Sequence, residues 1–141
     1  MSDGININEL PLPAALVRAI RNGVWRTPKN REVWLSLFPA RQVVQPMLYP
    51  LEKFDGKRDL WFMKAGPVYY GSKHSVIEPG DIDPYRAVLI GDLGPDRLIA
   101  LDYRPSLVEP TVVALTSDRN SCWRIVADDI KSFMRAIKLV D

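Results

Sequence analysis

"AVLIGDLGPDRLIALDYR", Ala87 to Arg104, is the stretch whose reading decides the fold. Two almost wholly apolar runs, "AVLI" and "LIAL", flank a centre rich in Gly and Asp, and the second run closes on "DYR". Short apolar runs bounded by Gly, Pro and Asp read as strands joined by a tight turn. Neither run alternates polar with apolar, so both strands are expected to be covered on both faces. A phosphate-binding loop needs glycines at set spacing that lead into a helix N-terminus. Here a strand follows "GDLGPDR", and the Lys-Ser/Thr pair of such a loop is missing. The glycines therefore read as backbone positions that need unusual φ, with Pro95 fixing the turn.

Outward from this hairpin the pattern continues. Apolar runs recur at Thr111–Leu115 and Cys122–Ala127, joined by "RPSLVEP" and "TSDRNS". Such connections are too short for parallel crossovers, so the four runs are expected to form an antiparallel meander. The chain then closes with "ADDIKSFMRAIKLV", in which Ile130, Phe133, Met134 and Ile137 make an apolar helical stripe. Asp128 or Asp129 is placed to cap that helix, and Lys131, Arg135 and Lys138 fall on its polar side. Near the other terminus, "NELPLPAALVRAIRNG" reads as a first helix with Pro13 in its first turn and Gly23 at its C-terminal cap. "NREVWLSLF" suits a second, short helix with Asn30 as N-cap and Pro39 as the stop. Residues 40–73 suggest short strands and loops whose order the sequence does not reveal. The expected fold class is α+β: one domain over 1–141, a twisted, mainly antiparallel sheet with helices from both ends of the chain packed around it.

The totals bound the function. At 141 residues and 47% hydrophobic, the chain suits a single domain with its own core. No apolar run approaches the roughly 20 residues needed to cross a bilayer. "MSDGININEL" lacks the basic and apolar segments of a signal peptide. One cysteine, Cys122, excludes an internal disulfide and suits a reducing cytoplasm, the expected location. A net charge of +2 is too small to suggest a nucleic-acid binder. The charge is unevenly spread: up to Lys64 there are ten Lys/Arg and six Asp/Glu, and beyond it nine and eleven. That is two solvated faces of opposite sign, or a surface that steers a charged protein partner.

No constellation for chemistry emerges. "GDID" resembles the opening of a calcium loop, but the late bidentate glutamate does not follow. Asp81, Asp83, Asp92, Asp96 and Asp102 read instead as turn formers, caps and surface charge, and Asp102 is placed to pair with Arg104 or to accept nearby backbone N–H groups. His74 is the only histidine; Ser72 and Ser75 flank it without any sign of activation. Cys122, beside Trp123 in a strand, reads as an inert, partly buried thiol. No catalytic residue, cofactor or metal site is expected. Trp61, Phe62, Tyr69, Tyr70 and Tyr85 crowd the region before the hairpin, mixed with Lys64, Lys73 and Arg86. That composition describes a core, a protein–protein hot spot or, less readily, a platform for stacking bases.

In order and spacing, "PVYYG…DIDPYRAVLIGDLGPDRLIALDYR…PTVVAL…WRIVADDIKSFMRAI" resembles the SUKH superfamily, which includes the yeast Smi/Knr cell-wall regulators and many bacterial immunity proteins. The matching features are the "IGD" strand, the Gly-containing turn, "IALDYR", a following "P-x-V" strand, and a "W-x-x-(I/V)-A" strand that runs into a C-terminal helix. "LP" at Leu12–Pro13 also fits, and the match is weak between Asn30 and Gly66. The resemblance implies an open sheet with helices around it and no catalytic set. It implies a protein-binding module, foremost an antidote that binds and neutralises a cognate toxin, often a nuclease. The alternative is a regulatory or scaffold protein that holds signalling or cell-envelope synthesis components. An antidote to a basic nuclease is expected to be acidic, and this chain is slightly basic. The residues expected at the partner surface are Tyr69, Tyr70, Asp81, Asp83, Tyr85 and Asp92. Neither membrane nor nucleic acid is expected as a partner, and a sheet covered on both faces in so short a chain leaves room for a homodimer.

Overall fold

A computed structural model describes residues 4–7, 9–56, 71, 78–94, 97–116 and 122–140. Its framework is the meander: β5 (Ala87–Asp92), β6 (Leu98–Asp102), β7 (Thr111–Thr116) and β8 (Cys122–Ala127), each antiparallel to the next. Two short strands complete a six-stranded sheet in the order β3-β5-β6-β7-β8-β4, with β3 at Met47–Leu48 and β4 at Pro79–Gly80. This is an α+β fold, as the sequence implies. β6 is buried at every position and β5 at all but its last, as expected of apolar runs without alternation.

Both glycines of the central turn serve the backbone, in different ways. Gly94 has φ +142°, a conformation side chains resist. Gly91 has no such φ. A Cβ there would stand 2.5 Å from the Met47 carbonyl oxygen, so this glycine lets edge strand β3 lie against β5. The expectation of unusual φ therefore holds at Gly94 and is corrected at Gly91. Pro95 lies outside the described residues.

The first expected helix is shorter than its sequence window. Asn6–Ile7 (β1) and Leu10–Pro11 (β2) form a small antiparallel pair, and α1 begins only at Ala14 and ends at Arg21. Pro13 is the residue that precedes the helix, extended at ψ 142°, rather than part of its first turn. Gly23, at φ +71°, follows the helix as a left-handed stop. The second expected helix is a 3-10 segment, Arg31–Ser36. Asn30 caps it by accepting from the Glu32 N–H, and Arg31 reaches forward to the carbonyls of Ala40 and Val43. The Arg31 side chain, held on the carbonyls of Ala40 and Val43, and the Asn30 cap fix this short segment as the tighter turn. Beyond it come a 3-10 turn at Ala40–Gln42, β3, and α2 (Leu51–Gly56).

The last helix, α3 (Ile130–Ala136), follows the expected pattern closely. Asp129 caps it by accepting from the Ser132 N–H at 2.7 Å, and Ile130, Phe133, Met134 and Ile137 are buried. α3 packs on α1, the 3-10 segment, β7 and β8. Tyr103, one residue past β6, donates its hydroxyl to the Pro11 carbonyl of β2. Strand alternation then points Asp102 and Arg104 to the opposite face.

Candidate partner-binding surface

Three of the expected surface residues fall on one segment. The chain leaves β4 at Gly80, where φ is +81°, and must reach the start of β5 across β8, β7 and β6. Seven peptide steps reach at most about 25 Å, while four strand spacings of about 19 Å and a four-residue offset of about 13 Å make a diagonal of about 23 Å, so the crossing has little slack. On the way Asp81 meets the Arg104 side chain, and at the far end the Arg86 carbonyl accepts the Tyr103 N–H. Ile82 is buried beneath it, and the bridge between Asp81 and Gly71 sits beside the indole of Trp123.

A guanidinium fork anchors this crossing. Arg104 donates through Nε and Nη2 to both carboxylate oxygens of Asp102, at 3.0–3.3 Å. It also donates through Nη1 to the Asp81 carboxylate at 2.9 Å and through Nη2 to the Asp81 carbonyl at 2.8 Å. Asp102 further accepts the backbone N–H of Arg104. The residue is 2% exposed, so its charge requires this partner. Hydrogen bonding to Asp102 is the main cause that raises the Arg104 pKa above the ordinary arginine range. The local pairing of Asp102 with Arg104 is as the sequence suggests. The link to Asp81, 23 residues away, is not visible from spacing.

Asp83 accepts from the Tyr85 N–H at 3.0 Å and so caps the 3-10 turn Pro84–Arg86. Tyr85 projects from that turn, 65% exposed. Asp81, Asp83 and Tyr85 therefore belong together, with Asp81 anchored, Asp83 shaping the turn and Tyr85 displayed. Asp92 sits at the opposite end of β5, where it accepts a 2.6 Å bond from the Tyr49 hydroxyl and one from the Gly94 N–H. Burial, then Asp92, drives the Tyr49 pKa far above the usual phenol range. Tyr69 and Tyr70 lie outside the described residues, as do Asp96, Trp61, Phe62, Lys64, Ser72, Lys73, His74 and Ser75.

Cys122 is buried in β8, more deeply than the partly buried thiol expected. Among the described residues, no three His, Cys, Asp or Glu side chains are grouped so as to hold a metal, and no helix is long and apolar enough to cross a membrane.

One exposed feature escapes a reading by sequence pattern. "RPSLVEP" registers as a turn between β6 and β7, yet it displays Leu107 at 56% and Val108 at 76% exposure. The Ser106 hydroxyl accepts from the N–H groups of Val108 and Glu109, and Pro105 and Pro110 bracket the tip. Two adjacent aliphatics between prolines were the available signal, because a turn has no reason of its own to be apolar. The tip helps to line a cleft of about 200 Å³ between the starts of α1 and α3, whose walls include Pro13, Arg18, Val108, Glu109, Asp129 and Lys131. The tip, the cleft and Tyr85 share the sheet end marked by Ala87, Asp102, Thr111 and Ala127.

No family model, curated protein or solved structure matches the chain.

Proposed function

We propose that this chain is a protein-binding module that works by occupancy rather than turnover, an immunity protein of the SUKH kind that neutralises a cognate toxin. The observation that carries this reading is where the polar residues of the resemblance go. Gly91 admits an edge strand, Asp92 holds Tyr49, Asp102 and Arg104 anchor the crossing segment, and Asp129 caps α3. These polar groups serve the fold. Tyr85, Leu107 and Val108 stand exposed at one sheet end, where large side chains favour partner contact. A fixed scaffold with a displayed end suits recognition of a protein. The slightly basic composition gives no support to a basic nuclease as the particular target.

A tagged copy used as bait in lysate of the source organism tests this reading. The expected result is one stoichiometric partner with a toxin domain, whose expression arrests growth alone and not together with this chain. Tyr85→Ala combined with Asp83→Ala is expected to weaken that complex. Recovery of kinases or envelope-synthesis enzymes would replace the antidote role with a regulatory one. Recovery of no partner would reject the antidote reading.

A further inference from the structure

We infer that the exposed sides of α1 and α3 form a basic docking surface for a protein partner that presents carboxylates. Neither helix contains an Asp or Glu: α1 reads AALVRAIR and α3 reads IKSFMRA. Their exposed charged side chains are Arg18, Arg21, Lys131 and Arg135, and exposed Lys138 follows α3. The helices pack against each other, and Arg18 and Lys131 line one cleft. Arg21 and Arg135 stand about 5 Å further along the same helix faces, one turn on. The fold gains little from this arrangement. Lys131 and Arg135, four residues apart, repel each other, and Lys131 also sits at the positive end of the α3 dipole. Asp129 offsets part of this, with its carboxylate already committed to the Ser132 N–H.

The neighbours of this surface select the partner. Glu109 directly follows the exposed Leu107–Val108 pair, and exposed Asp128 precedes the cap of α3. A nucleic acid or an anionic bilayer would press phosphates onto these carboxylates as well as onto the basic side chains. Among the described residues, no large apolar side chain is exposed on α1 or α3, so the helices offer neither a base-stacking platform nor a membrane anchor. A folded protein can set carboxylates against the cations alone and lay an apolar side chain on the tip. Exposed charge pairs each add little affinity, so the cations chiefly steer the encounter and fix its orientation, while the tip supplies contact area. The inference rests on the binding-module reading and names its partner's surface chemistry. It does not require that partner to be a toxin, so the peptide measurement and the growth-arrest assay can fail separately.

Fluorescence anisotropy of a labelled peptide of about 20 residues, rich in Glu with interspersed Leu, tests it against the full chain. The peptide is expected to bind in about 50 mM salt and to lose about tenfold in affinity in about 500 mM. Arg18→Glu with Lys131→Glu is expected to abolish binding, and Arg21→Glu with Lys138→Glu to do the same. Val108→Asp should weaken it, whereas Lys53→Glu, the same charge change on α2, should leave affinity within about twofold. Thermal unfolding confirms that these exposed changes leave the fold intact. Oligouridylate of matching charge and phosphatidylserine vesicles are expected to bind more weakly than the peptide. Tighter binding of either would overturn the inference. So would a peptide that does not bind, charge-reversed pairs that bind like the parent, or an equal loss in Lys53→Glu.

Discussion

Asp102→Asn removes one charge from the fork that anchors the crossing segment and changes little else in shape. The carboxylate accepts four bonds from Arg104: the backbone N–H, two from Nε and one from Nη2. An asparagine oxygen can keep the first set, but its NH₂ then faces the Nη2 donors, and the charge-assisted contact is lost. Such a contact contributes about 1.5–3 kcal/mol, and breaking a fully buried pair costs about 3–5 kcal/mol. The Arg104 side chain is 28% exposed and keeps Asp81, so the lower part of this range applies, about 2 kcal/mol. For a chain of this size that is a fall of about 6–10 °C in Tm. Arg104→Met is the harsher change, about 3–4 kcal/mol, because it leaves a buried carboxylate with only a backbone N–H. Asp102→Leu with Arg104→Met removes both charges and is expected to recover much of that loss. Urea unfolding followed by tryptophan fluorescence measures all of these variants. If either single variant cost less than about 0.5 kcal/mol, or the losses simply added, the fork would not be what holds the segment.

Gly91→Ala drives a Cβ toward the Met47 carbonyl and is expected to destabilise by about 1–3 kcal/mol, with β3 losing amide-exchange protection before the meander does. Asp129→Ala should cost about 1 kcal/mol at neutral pH through the lost cap. The Ser132 N–H lowers the folded pKa of Asp129, so the cap's contribution is present above the unfolded value near 3.9 and fades as pH falls through the folded pKa. The gap between parent and variant should therefore close in acid, as denaturant titrations across pH can read. Burial raises the pKa of Tyr103, whose stabilising effect is complete below the unfolded value near 10 and declines as pH rises beyond it. Tyr103→Phe should lose about 1 kcal/mol at pH 7 with the bond to Pro11, and show a shallower alkaline decline than the parent.

The meander was legible because its signals are local. The four apolar runs became β5 to β8, and Asn30 and Asp129 cap the segments they precede, since a cap reaches only two or three residues along the chain. Asp102 and Arg104 were readable as partners for the same reason, as neighbours on one face of an extended chain. The two-residue strands β3 and β4 have no period to detect. They exist because the ends of β5 and β8 offer unpaired backbone groups to whatever chain passes.

For the candidate surface, the segment holding Asp81, Asp83 and Tyr85 was visible in the sequence. The separation of Asp92 from it was not, because a strand carries its two ends roughly 17 Å apart. Local sequence pattern by itself determined a sheet-forming chain with a capped, amphipathic last helix. Only the tertiary structure set Arg104 against Asp81, Tyr49 against Asp92, and the Leu107–Val108 tip beside a cleft between two distant helix starts. The physical reason is range. Propensity, capping and burial pattern act over a few residues, whereas these sites join groups 23, 43 and more than 90 residues apart, which meet only after the sheet has fixed where each strand ends.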